Sequence, residues 1–122
     1  DSRVAYDVKV IIGESDYVEK TSYEILNNIP TAYYLSQNYP NPFNPMTKFN
    51  YNLPLRSKVN ISIYNMMGRK VKTLVNGIQN PGFKTIQWNA KNEMNSPVSA
   101  GLYFYTIQTD GFKETKRMIL LK

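Results

Sequence analysis

The 122-residue chain contains no cysteine and no histidine. Those absences exclude disulfides, thiolate nucleophiles, Cys/His zinc sites and imidazole acid–base chemistry. They leave the redox compartment open, because an oxidising compartment permits disulfides without requiring them. No apolar run is long enough for a transmembrane helix. The opening DSRVAYDVKV lacks a signal-peptide pattern, so an exported form is expected to have lost its leader or to carry it outside this stretch. Carboxylates are scarce, and most sit early: Asp1, Asp7, Glu14, Asp16, Glu19 and Glu24 precede Glu93, Asp110 and Glu114. No pair has the spacing of a catalytic dyad or a calcium loop. The glycines stand singly at turns, with no phosphate-cradling cluster. An enzyme would need a nucleophile, a base or a metal cluster, so the sequence reads as non-catalytic, with no cofactor.

What is present suits a β protein. Hydrophobic residues make up 42% and aromatics 13%, with ten tyrosines. Aromatics suit half-buried strands, and the many asparagines suit turns. The net charge is +6. However, Lys48, Lys58, Lys84 and Lys91 stand singly between strand residues, which reads as solubility and edge protection. No nucleic-acid partner is expected.

The periodicity predicts about seven short strands. Lys48–Leu53 alternates and stops at Pro54; Val59–Tyr64 alternates and turns at Asn65–Gly68. Lys70–Val75 follows, with Asn76-Gly77 and Pro81-Gly82 as turn signals. Phe83–Asn89 alternates, Asn92–Pro97 reads as a loop, and Leu102–Thr109 is strongly aromatic. Asp110-Gly111 predicts a tight hairpin into Phe112–Leu121. Met118–Leu121 is apolar on both faces, the pattern of a central strand. Regularly spaced short strands predict an all-β, Ig-like antiparallel sandwich. Trp88, Tyr103 and Tyr105 are expected to be core packing rather than a ligand platform. Asn60-Ile61-Ser62 matches a glycosylation sequon, but it falls within a strand.

Upstream, Val4, Tyr6, Val8, Val10 and Ile12 alternate with Ala5, Asp7, Lys9 and Ile11, which predicts one more strand. Thr21–Glu24 fits a capping box and a short helix through Asn28. The expected organisation is an N-terminal strand over 1–12, a linker over 13–32 and the sandwich over 33–122. Between linker and first strand stands Tyr39-Pro40-Asn41-Pro42-Phe43-Asn44-Pro45. No helix or central strand accommodates it. It reads as a stiff lead-in, extended at each X-Pro step and anchored on the core by Tyr39 and Phe43.

Several motifs in order resemble the type IX secretion system C-terminal sorting domain, type A, of Bacteroidota and related bacteria. They are the LSQNYPNPFNP opening at Leu35–Pro45, VNISIYNMMG at Val59–Gly68, Gly82, Trp88, SAGLYFY at Ser99–Tyr105, and KRMILLK at Lys116–Lys122. The resemblance covers about Tyr33 to Lys122. It departs at Asn89–Asn95, where the family loop is usually acidic and contains glycine; asparagine takes the left-handed turn position here.

The resemblance implies a non-catalytic domain at the end of a secreted cargo, recognised by outer-membrane export machinery on the surface of a Gram-negative bacterium. Attachment to an anionic cell-surface glycan is part of that implication. So is a recognition role for Gly101, Tyr103, Lys116 and Lys122. The residues themselves offer another reading of two of these: Gly101 relieving crowding at a strand start, and Tyr103 packing. The N-terminal strand has no evident partner: it is read either as the end of a preceding cargo domain or as a donor strand, with Val4, Tyr6, Val8, Val10 and Ile12 as the candidate strand-addition surface. A homo-oligomer or extracellular filament is the corresponding alternative function. A second alternative is an accessory carbohydrate-binding module, which predicts Tyr33, Tyr103 or Tyr105 exposed in a groove.

Overall fold

A computed structural model describes residues 29–122. The expected N-terminal strand, the short helix and most of the linker lie outside the described residues. The described part is all β. Its strands are β1 Tyr34–Leu35, β2 Thr47–Leu53, β3 Ser57–Asn65, β4 Lys70–Gln79, β5 Gly82–Trp88, β6 Gly101–Gln108 and β7 Lys113–Leu120. One sheet has the order β1-β2-β5, and the other β4-β3-β6-β7. Every strand pair is antiparallel.

Alternation selects the buried faces. Phe49, Tyr51 and Leu53 of β2 are buried, as are Val59, Ile61 and Ile63 of β3 and Tyr103, Tyr105 and Ile107 of β6. These residues form one core cluster between the sheets. Phe49 stacks on Tyr105 across that core, with ring centroids 4.3 Å apart. The result is an Ig-like two-sheet sandwich, as the periodicity predicts. Pro30 is already buried, so packing begins ahead of Tyr33.

Three local expectations are corrected. Asn76-Gly77 is not a turn: it lies within β4, where Asn76 faces Asn60 and Gly77 faces Val59. The nine residues of β3 pair nearly end to end, and the chain turns only between Gln79 and Gly82. The closing strand β7 is at a sheet edge rather than central. Met118 and Leu120 are buried, whereas Ile119 points outward and is 44% exposed. Nor is the lead-in uniformly extended: it bends at residues 40–42 and 44–45. Phe43 anchors it from within the core, but the Tyr39 side chain is 76% exposed.

Candidate functional site: the seam between lead-in and closing strand

The segment from Tyr34 to Phe43 starts beside one sheet and ends beside the other. Ser36 N–H donates to the Asn50 carbonyl (2.9 Å), and Tyr39 and Lys48 exchange two backbone hydrogen bonds (2.8 and 3.1 Å). These continue the pairing of β1 along β2. Four residues later the partner is β7, and the direction is parallel. Phe43 N–H donates to the Ile119 carbonyl (3.0 Å), and Leu121 N–H donates to the Phe43 carbonyl (2.8 Å). The prolines have no N–H to extend either ladder. Pro40 and Pro42 therefore stop pairing after Tyr39, and Pro45 stops it after Phe43. The switch between sheets is confined to one place.

Side chains fix the switch. Asn38, only 3% exposed, donates from Nδ2 to Thr47 Oγ1 (3.0 Å) and to the Pro40 carbonyl (3.2 Å). Its Oδ1 accepts from Gln37 Nε2 (2.7 Å). Thr47 Oγ1 donates to the same Pro40 carbonyl (2.8 Å). On the β7 side, Gln37 Nε2 donates to the Arg117 carbonyl (2.8 Å), and Ile119 N–H donates to Asn41 Oδ1 (3.0 Å). Edge groups of β7 that would otherwise be left open are thus satisfied by the lead-in, which blunts the edge.

Aromatics pack beneath the seam. Phe43 lies 5.9 Å from Trp88, and Trp88 meets Tyr103 edge-on at 5.4 Å. Each polar end has a partner, as buried Tyr and Trp require. Trp88 Nε1 donates to the Lys91 carbonyl (2.9 Å), Tyr103 to the Ser99 carbonyl (2.6 Å), and Tyr105 to the Ser36 carbonyl (2.7 Å). Burial pushes both tyrosine hydroxyls above the usual tyrosine range.

The expected recognition residues divide. Gly101 pairs with Leu120 and Tyr103 with Met118, so both lie at the end of β7 that bridges to Phe43. Lys122 follows two residues later. Lys116 stands apart: it pairs with Tyr105, about 13 Å along the strand from Leu120. Its Nζ is 3.3 Å from Glu114 Oε2. Crowding does not explain Gly101, because a Cβ built there meets nothing within 4 Å. Its φ of +147° does, since side-chain-bearing residues rarely adopt it. Within the lead-in, Pro40, Asn41, Pro42, Asn44 and Pro45 are exposed around the buried Phe43. The residues Val4, Tyr6, Val8, Val10 and Ile12 lie outside the described residues. Tyr103 and Tyr105 are buried, and Tyr33 stacks on Phe112 at 5.3 Å. They form no exposed aromatic groove.

Sequence reasoning assigned no role to Gln37 and Asn38. The available signal was two amides directly ahead of a proline run, where backbone carbonyls lose their usual N–H partners. In the loop after Trp88, Asn95 takes the expected left-handed turn, but Ala90 does as well. Glu93 supplies the one acidic contact there, its Oε2 accepting from Thr73 N–H (2.8 Å).

Among the described residues no cluster of three metal-ligating side chains occurs. What the geometry defines, among the described residues, is a sandwich whose lead-in and closing strand are joined in one seam. A family profile described as "Secretion system C-terminal sorting domain" matches residues 37–121. The chain belongs to that family, the sorting domains of type IX secretion, which mark secreted, cell-surface proteins. Two solved structures from Porphyromonas gingivalis share its fold. Dimeric latent PorU aligns with a TM-score of 0.57 at 18% identity, over 75% of this chain and 10% of its own. PorZ, an essential surface component of the type IX secretion system, gives 0.50 at 18%, over 75% and 12%. FlgD from P. aeruginosa gives 0.48 at 27% identity, over 62% and 59%. The chain thus spans about a tenth of the length of PorU and PorZ. The search of curated proteins returned no match.

Proposed function

We propose that this domain is a non-catalytic export signal read in its folded form by outer-membrane secretion machinery, and that the reading surface is the seam. The observation that supports this is the joining of residues 76 or more positions apart, Phe43 to Ile119 and Leu121, by backbone hydrogen bonds. The proline motif and the basic, aliphatic ending form one surface only when the sandwich is closed. Lys122, Ile119 and Leu121 are exposed at its rim, beside Gly101 and the exposed lead-in residues. They offer a partner a short apolar ridge ending in a cation. Lys116 serves as a more distant contact on the same strand.

The test fuses the whole chain behind a fluorescent reporter in a bacterium with a type IX system. Truncating Met118–Lys122 is a poor test, because Met118 and Leu120 belong to the core. The Ile119→Asp, Leu121→Asp pair leaves the core intact and is expected to cut surface reporter roughly tenfold, the equivalent of about 1.4 kcal/mol of lost contact. Lys58→Glu, on the outer face of β3, serves as the control and should export normally. Normal export of the ridge variant, with its melting temperature unchanged, would overturn the assignment of the seam.

A further inference from the structure

The two sheets have four edges, and three of them are blunted. β1 is only two residues long, and the lead-in continues its pairing along β2. The lead-in also covers part of β7. The pairing of β4 with β3 is irregular at Ile61/Ser62 and again at Ile63/Tyr64. Glu93 occupies the outer side of β4: its N–H donates to the Val71 carbonyl (3.2 Å), and its Oε2 accepts from Thr73 N–H (2.8 Å). Short strands, bulges and covering segments keep sheet edges from pairing with stray strands. β5 has none of them. Gly82–Trp88 pairs with β2 in unbroken register. On the side away from β2, its backbone has no hydrogen-bond partner among the described residues. Its one charge, Lys84, lies over Gly82, where a Cβ would meet Lys84 Nζ at 3.6 Å. Thr85–Trp88 is uncharged.

The flank beside this edge is unfinished too. Ile86 on β5 and Leu74 and Val75 on β4 pack against the core yet stay half-buried. A depression of about 260 Å³ there is lined by Met46, Lys72, Leu74, Gln87, Trp88 and Asn89. An extended segment with one apolar face fits both features, adding backbone pairs to β5 and side chains to the flank. The chain supplies such a segment: Val4–Ile12 has the period-two pattern. Two observations select it as the occupant. First, the described residues begin at this edge, where Ile29 and Pro30 line one depression with Phe83, the second residue of β5. The sixteen residues between Ile12 and Ile29 reach up to about 55 Å, more than twice the roughly 23 Å length of β5. Second, the charges are complementary. Before Ile29 stand three basic and six acidic side chains, net −3, whereas Ile29–Lys122 holds twelve and three, net +9. Opposite net charge draws the two parts together. We infer that Val4–Ile12 docks in cis as an added strand on the open edge of β5, with Val4, Tyr6, Val8, Val10 and Ile12 turned toward Leu74 and Ile86. A flexible tether this short holds the segment at roughly millimolar effective concentration, which favours its own edge over that of a second copy. The fourth edge is then closed like the other three. The inference is independent of the export reading and uses none of its seam residues.

The test uses the full chain, whose lack of cysteine lets one spin label be attached through Ala5→Cys, off the apolar face of the segment. In a ¹⁵N-labelled sample, broadening should concentrate on the amides of β5 and on Leu74 and Val75, and spare β7. Hydrogen exchange without any label gives a second measure. Val8→Pro removes a backbone donor from the middle of the segment and touches none of the sandwich. The outer-side amides of β5 should exchange about ten- to a hundredfold faster in this variant than in the wild type, as expected when local pairing is lost. The amides of β3 and β6 should be unchanged, which checks that the sandwich stays folded. Mixing unlabelled ¹⁵N chain with spin-labelled ¹⁴N chain separates cis from trans. Broadening of β5 in that mixture would assign the edge to a second copy and overturn the cis docking. Broadening that is absent, evenly spread or centred on another edge would overturn it as well. So would β5 exchange that is indifferent to Val8→Pro.

Discussion

Two of the chain's crossings between the sheets, the lead-in as the first and the β4–β5 turn as the second, are built differently; the chain also passes between the sheets from β2 to β3 and from β5 to β6. The second, from Gln79 to Gly82, joins strands adjacent in sequence. Its flanks are exposed, with Ile78 at 62% and Phe83 at 61%. Its one side-chain tie there is Tyr51 Oη donating to Gln79 (2.7 Å). The first, from Ser36 to Phe43, has a buried phenylalanine, a buried asparagine and hydrogen bonds to Arg117, Ile119 and Leu121. The contrast follows from chain connectivity. A turn between neighbouring strands closes a short loop at small entropic cost, whereas joining residue 43 to residue 120 closes a long one. The long closure needs anchors, and these are concentrated in the segment that the proline motif occupies.

The largest effect should come from removing the main anchor. Phe43→Ala leaves a cavity beside Trp88 and is expected to cost about 3–5 kcal/mol, a large part of what a domain this size has available. Urea unfolding followed by Trp88 fluorescence measures it, and that indole lies next to the lost ring. A cost under about 1 kcal/mol would show that the first crossing is no better anchored than the second.

Alkaline pH tests both crossings, because a tyrosine hydroxyl ties each: Tyr105 to Ser36 and Tyr51 to Gln79. Burial raises both hydroxyls above the ordinary value of 10, Tyr105 far above it. Once the pH exceeds 10, the unfolded chain loses these protons while folded Tyr105 keeps its own. The unfolded state then binds fewer protons, so stability falls as pH rises, by about 1.4 kcal/mol per pH unit from Tyr105 alone. Below that range Tyr105 adds no slope. Thermal melts from pH 7 to pH 11 should show this, and Tyr105→Phe should flatten the fall. A profile level to pH 11 would count against a neutral, buried Tyr105 tie.

The same contrast explains what the sequence made legible. Alternation in Val59–Tyr64 or Leu102–Thr109 is a local signal, and it correctly marked the strands and their inward faces. Pro81-Gly82 marked the second crossing because a turn between adjacent strands is specified by its own residues. The first crossing was read only as a stiff lead-in. Proline excludes regular structure but does not say what the flanking amides contact, and Gln37 and Asn41 find partners about eighty residues away. Met118–Leu121 misled for the same reason. Two apolar faces suggested a central strand, yet the strand is an edge closed by the lead-in, with Ile119 left on the outer side. Gly101 was legible as special, but the reason lay in its φ rather than in crowding.

The smallest expected effect lies at the second crossing. Ile78 sits on the outer side of β4 opposite Lys58 and is 62% exposed. Replacing it with serine removes little buried surface and leaves the β3–β4 backbone ladder intact. Substitutions of this kind usually stay within about 0.5 kcal/mol. Ile78→Ser should therefore unfold at nearly the wild-type urea midpoint, with the same slope. A loss above about 1.5 kcal/mol would mean that this side chain is covered in the folded chain. The second crossing would then be anchored as the first is, and loop length alone would not account for where the anchors lie.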